Sequence, residues 1–155
     1  MKKVLSLFVG VLLFGAANAQ NSGSEVEMFQ SIFSMEKKAM VAEFLNLSDT
    51  EAGPFWDLYN AYESERADLG KRRITLLQNY VDQYNTLDDE SGSELLAEAM
   101  KLQISRDKVK NKYTNKIKKA VGAKRAAQFY QLENYIDSAI NLYLMDNLPF
   151  VGELD

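Results

Sequence analysis

The sequence holds no cysteine and no histidine, and only two prolines among 155 residues. Without cysteine there is no disulfide, so stability has to come from packing. A lipoprotein anchor, which needs a cysteine at its cleavage site, is excluded as well. Without histidine there is no Ser-His-Asp or Cys-His nucleophile, no histidine general base and almost no route to a zinc site. The Glu-x-x-His pattern of di-iron bundles is also impossible. A carboxylate pair or a Ser-Lys arrangement is what remains for an enzyme, and no residue set singles one out. Methionines and carboxylates are scattered without ligand spacing. The chain therefore reads as a non-enzyme, with no catalytic, cofactor-binding or metal-binding residue to nominate and no cofactor.

The first nineteen residues have the composition of a secretory signal. Lys2 and Lys3 form a positive start, Val4 to Phe14 is an apolar run broken only by Ser6 and Gly10, and Ala17-Asn18-Ala19 supplies the small-x-small cleavage pattern. That run is short for a membrane span, and no later stretch is longer. The expected organisation is a signal peptide over 1–19 and one domain over 20–155, with 148–155 as a flexible tail. Its expected location is outside the cytoplasm, in the periplasm of a cell that has one, with no stable membrane insertion once the signal is removed. Lys2 and Lys3 leave with the signal and no acid does, which takes the formal net charge from −4 to −6. A moderately acidic chain does not suit nucleic acid.

What the mature chain has in quantity is helical periodicity, and the expected fold is all-α with four helices. The first runs from about Glu25 to Leu45 and carries two apolar stripes, Met28-Ile32-Met35-Ala39 and Phe29-Phe33-Met40-Phe44. The second starts at the capping-box pattern Ser48-Asp49-Thr50-Glu51 and extends to Leu87, with a kink or a restart expected at Pro54. Its seam is Phe55, Tyr59, Tyr62, Leu69, Leu76, Tyr80, Tyr84 and Leu87. Asp88 to Ser93 is read as the turn, with Ser91 and Glu94 as a second capping box. The third helix reaches Ala120 on a seam of Leu95, Ala99, Leu102, Val109, Tyr113 and Ile117, which makes a long antiparallel hairpin with the second. Gly122 breaks it, and the fourth helix covers Ala123 to Asn147. An internal echo is present too. Phe55-Trp56-Asp57-Leu58-Tyr59-Asn60 and Phe129-Tyr130-Gln131-Leu132-Glu133-Asn134 share Phe, an aromatic, Leu and Asn in register, and Ala52 matches Ala126 at the same offset.

The segment Leu45-Asn46-Leu47-Ser48-Asp49-Thr50-Glu51, after one helix and before a long amphipathic one, resembles the Leu-Thr-x-x-Gln motif of the Spy/CpxP family. Ser48 and Glu51 stand where that motif has Thr and Gln, and both keep the capping chemistry. A second copy would fall at Val121-Gly122-Ala123-Lys124-Arg125, where the capping hydroxyl is missing. The resemblance implies an exported, all-helical, ATP-independent chaperone or envelope-stress regulator that forms an antiparallel homodimer.

Two features are candidates for binding unfolded or partner proteins. From Lys101 to Arg125 ten Lys or Arg stand against one acid, Asp107. This run reads either as an anion-attracting surface, with Lys108, Lys112 and Lys116 its central members, or as a solvated face beside acidic neighbours. The apolar residues exceed what one hairpin can cover. Phe29, Phe33 and Met40 on the first helix, and Tyr135, Leu142 and Met145 on the fourth, lie off a single seam and suit either a core or adaptable binding. Trp56 sits one residue from the second seam, as a boundary residue or an anchor. A general holdase and an accessory binding one specific sensor or regulator both fit. Mass spectrometry of the exported product should show a chain beginning at Gln20; retention of Met1 to Ala19 would refute the signal reading.

Overall fold

The computed structural model describes residues 22–153, without the side chains of 22–30 and Ile32; the expected signal peptide lies outside the described residues. Among them the protein is all-α, with four helices and no strand. The chain divides into two units, 1–47 and 48–155. The first contributes α1, Ser22–Leu45. It ends where Asn46 takes a left-handed φ of 44° and donates its N–H to the Ala42 carbonyl at 3.1 Å. Asn tolerates that conformation better than most residues with a side chain.

The second unit is built from α2 (Asp49–Gln83), a 3₁₀ turn (Tyr84–Thr86), α3 (Asp89–Val121) and α4 (Ala123–Asn147). At the start of α2, Glu51 Oε2 reaches back to the Ser48 N–H and to the Ser48 hydroxyl, both at 2.9 Å. Asp49 and Glu51 also place negative charge at the positive end of the helix dipole. The helix continues through Pro54, so no restart occurs there. It stops at Gln83, four residues short of the expected Leu87. The second capping box also differs from expectation, since Asp88 serves as N-cap. Its carboxylate accepts from the Ser91 N–H at 2.9 Å, and the Ser91 hydroxyl takes the Asp88 N–H at 3.0 Å. Ser91 is therefore the third residue of α3 rather than its cap. An aspartate serves at least as well at that position, and its charge suits the dipole.

α2 and α3 form the expected antiparallel hairpin. Glu65 meets Lys112 and Tyr113, and further along Arg72 meets Glu98. Gly122, with φ 93°, ends α3 and opens α4 in a single residue, a backbone state that favours glycine. α4 returns antiparallel to α3, with Arg106 and Lys110 both on Asp137. It therefore lies parallel to α2, and the internal echo acquires a structural meaning. Phe55 and Phe129 touch edge to face at 6.3 Å, and the two helix starts follow Ser48 and Gly122. Arg125 holds Glu51 through two parallel hydrogen bonds of 2.8 and 2.9 Å, 74 positions apart in the chain.

The core sits at this end. Phe55, Tyr59 and Tyr62 from α2, Tyr113 and Ile117 from α3, and Ala126, Phe129, Leu132 and Ile136 from α4 are buried. Tyr62 contacts Phe129 at 5.2 Å and Tyr113 at 5.7 Å, and such pairs add about 0.5–1.5 kcal/mol beyond area burial. Towards the α2–α3 turn the same seams are only half-buried, at Leu76, Tyr80, Tyr84 and Leu95. There the segment expected to be a loose tail is held at two points. Tyr80 Oη donates to the Pro149 carbonyl at 2.6 Å, and Tyr84 Oη to that of Phe150 at 2.9 Å.

Hydrogen bonds from Arg125 and Ser48 pull the Glu51 carboxyl down to about 2. A depressed carboxyl stabilises the fold above its unfolded value, near 4.5, and that contribution is lost as pH falls through the folded value. Acid titration of unfolding should show wild-type stability declining from about pH 4.5 to pH 2. Glu51→Gln should be less stable at pH 7 and should show a shallower decline across that window.

Candidate interaction surface

The residues nominated from the sequence separate on this fold. Phe29 falls within α1, and its side chain lies outside the described residues. Phe33 is buried and Met40 half-buried, so neither is a fully open contact residue. Trp56 is half-buried, edge-on to Phe55 at 5.1 Å and to Tyr59 at 5.3 Å. It closes the aromatic cluster, the commoner place for a tryptophan one residue off a seam. Among the lysines, Lys112 is tied to Glu65 at 2.6 Å. Lys116 lies 4.8 Å over the Tyr113 ring. Lys108 is exposed and makes no ion pair among the described residues, as is true of Lys118, Lys119 and Lys124.

The basic run is thus of two kinds. Arg106, Lys110, Lys112 and Arg125 bind acids on neighbouring helices. In return, Glu65 is held below the usual carboxylate range by Lys112 and Tyr113. The remaining lysines are the solvated set.

Sequence reasoning missed the largest open feature of α3. Leu96, Met100 and Ile104 are 62, 58 and 53 % exposed. At i, i+4, i+8 they form one stripe on the helix surface. One further step along the stripe is Lys108. The signal was present in the sequence, one residue out of phase with the Leu95-Ala99-Leu102 seam. The off-seam residues Tyr135, Leu142 and Met145 of α4 are exposed as well. The Tyr80–Pro149 and Tyr84–Phe150 bonds place the α4 C-terminus level with the α2–α3 turn. Leu96, Met100, Leu142 and Met145 therefore lie towards one end of the unit, the end opposite its core.

Among the described residues no helix is long and apolar enough to cross a membrane, and no group of three acidic side chains is placed to hold a metal ion. Comparison with protein-family models, curated proteins and solved structures gives no match.

The stripe and the core should respond oppositely to substitution. Replacing Leu96, Met100 and Ile104 together with glutamine removes exposed side chains and should cost no more than about 1.5 kcal/mol, on the scale of surface changes. Phe129→Ala opens a cavity in the aromatic cluster and should cost roughly 3–5 kcal/mol. Chemical denaturation of both variants checks the contrast.

Proposed function

We propose that the protein is an exported, ATP-independent chaperone-like binder of unfolded or stress-exposed proteins in the cell envelope, working as a homodimer. The observation that supports this most is the Leu96-Met100-Ile104 stripe ending on Lys108. Three large apolar side chains in a row at more than half exposure are a poor use of a helix face unless something covers them. Methionine at the centre repacks easily against side chains of different shape, which suits varied clients over one fixed partner. A lysine with no ion pair at the end of the stripe adds attraction for acidic residues beside a client's apolar segment.

The motif resemblance to Spy/CpxP proteins supports the same reading. So do the absence of histidine and cysteine and the signal-like N-terminus, which together favour a binding role over a chemical one. The same end of the unit carries two further exposed apolar side chains on α4, Leu142 and Met145.

The test is an aggregation assay on an unrelated protein unfolding at raised temperature, without nucleotide. Substoichiometric mature protein should slow light scattering, and the triple glutamine variant should lose at least half of that protection while keeping its helical circular dichroism. A wild-type protein without effect, combined with a pull-down that yields one stoichiometric envelope partner, would replace this reading with that of a specific signalling accessory.

A further inference from the structure

Midway along the second unit the apolar interior gives way to a partly exposed polar cluster with more positive than negative charge, in which Arg73 is half-buried and Asn141 exposed. α2 supplies Arg73, α3 supplies Arg106 and Lys110, and α4 supplies Asp137 and Asn141. Arg106 Nη2 donates to Asp137 Oδ1 at 2.5 Å, and Lys110 Nζ to Asp137 Oδ2 at 3.2 Å. Lys110 also has Asp107 at 3.4 Å and the Tyr130 ring at 5.7 Å, so it is well provided for. Arg73 Nη2 meets a neutral group, the Asn141 Oδ1, at 2.7 Å. One carboxylate, Asp137, thus serves both Arg106 and Lys110, and Arg73 has none within hydrogen-bonding reach among the described residues.

The imbalance is one of donors as well as charge. A guanidinium carries five N–H donors in a planar fork, yet Arg73 and Arg106 each make one hydrogen bond among the described residues. Burial lowers Arg73 to about 10, with Arg106 adding to the effect and the Asp137 carboxylate opposing it. An arginine keeps its proton under ordinary conditions, so the penalty stays as positive potential. The cluster is open to solvent at Asn141, which is exposed, and the Arg106 and Asp137 side chains retain 16 and 29 % exposure. Among the described residues no carboxylate is hydrogen-bonded to Arg73, and two arginine forks match the edge of an oxyanion in a way that solvated lysines do not.

We infer that Arg73 and Arg106 form a binding site for a small oxyanion, a phosphate, a sulfate or a free carboxylate, where α2, α3 and α4 meet. Asn141 is central to the specificity. An aspartate there would neutralise Arg73 from within, and the asparagine leaves that place to a ligand. The site is separate from the Leu96-Met100-Ile104 stripe and does not depend on the chaperone reading.

Thermal melts of the full mature chain, with inorganic phosphate, sulfate or acetate replacing chloride at constant ionic strength, test the inference. At least one of the three anions should raise the melting temperature saturably, and titration calorimetry should give a single site. Comparison of the three tells a tetrahedral anion from a carboxylate. Arg73→Gln should weaken binding at least tenfold. Asn141→Asp should raise the melting temperature without added anion and cancel most of the anion's effect, which keeps the test decisive if Arg73→Gln folds poorly. Lys119→Gln, a change in a solvated lysine, should leave binding unchanged. Equal stabilisation of the wild type, Arg73→Gln and Asn141→Asp, or no response of the wild type to any of the three anions, would overturn the site.

Discussion

The second unit depends on a match of two lengths. α2 has 35 residues and α3 has 33, about 52 and 50 Å at 1.5 Å per residue. α3 therefore carries the chain back to the level at which α2 began. Gly122 allows the reversal to be completed in one residue, so α4 starts beside the start of α2 with almost no slack. That placement delivers Phe129 to Phe55 and Tyr62, and Arg125 to Glu51. Shortening α3 by one turn would shift α4 by about 5.4 Å. Such a shift is large against a bidentate ion pair of 2.8 and 2.9 Å.

The same constraint makes the core uneven. Aromatic residues are concentrated where α2 and α4 start together, and they fill that end. Towards the α2–α3 turn the seams carry Leu76, Tyr80, Tyr84 and Leu95, which remain half-buried. The tyrosines there use their hydroxyls to hold the backbone at Pro149 and Phe150 instead of closing a dry layer. Apolar side chains that would be interior in a thicker bundle, Leu96, Met100, Leu142 and Met145 among them, face solvent. One end supplies stability, which leaves the other available for contact.

Most of this architecture was legible in the sequence, because helical period, capping residues and glycine act locally. The seam residues Phe55, Tyr59, Tyr62, Leu102, Tyr113 and Ile117 are buried, whereas Ala99 is exposed, and α4 has the expected bounds. The misreadings lie where two local solutions compete. Asp88 and Ser91 both suit an N-cap, and the choice between them turns on one helical turn. The candidate surface was less legible for a different reason. Ten cations in a run look like one feature, but four of them, Arg106, Lys110, Lys112 and Arg125, are set apart by an acid on another helix, and Glu51, Glu65 and Asp137 lie far from them in the chain. The exposed stripe on α3 was hidden by its phase, since Leu96 follows Leu95 and Met100 follows Ala99, so it reads as a widened seam.

Apolar seams repeat every three or four residues, so by themselves they would let α4 slide along α2 by a turn at modest cost. The polar contacts between these helices do not repeat in that way. α2 offers Glu51, Tyr62 and Arg73, and α4 answers with Arg125, Glu133 and Asn141. Each pairing is chemically distinct: carboxylate with guanidinium, phenol with carboxylate, guanidinium with amide. A slip would set each group against the wrong partner and, at the buried Tyr62–Glu133 pair, leave polar atoms unpaired at about 1–3 kcal/mol for each one. Register is thus fixed by groups that add little net stability of their own. Tyr62 with Glu133 and Arg73 with Asn141 each set a charged group against a neutral one, and Asn141 is the neutral partner of the arginine. A neutral residue there still specifies the register, since the amide oxygen takes the arginine N–H. It leaves the charge to be met from solution, so the device that aligns the helices also leaves them open to an anion.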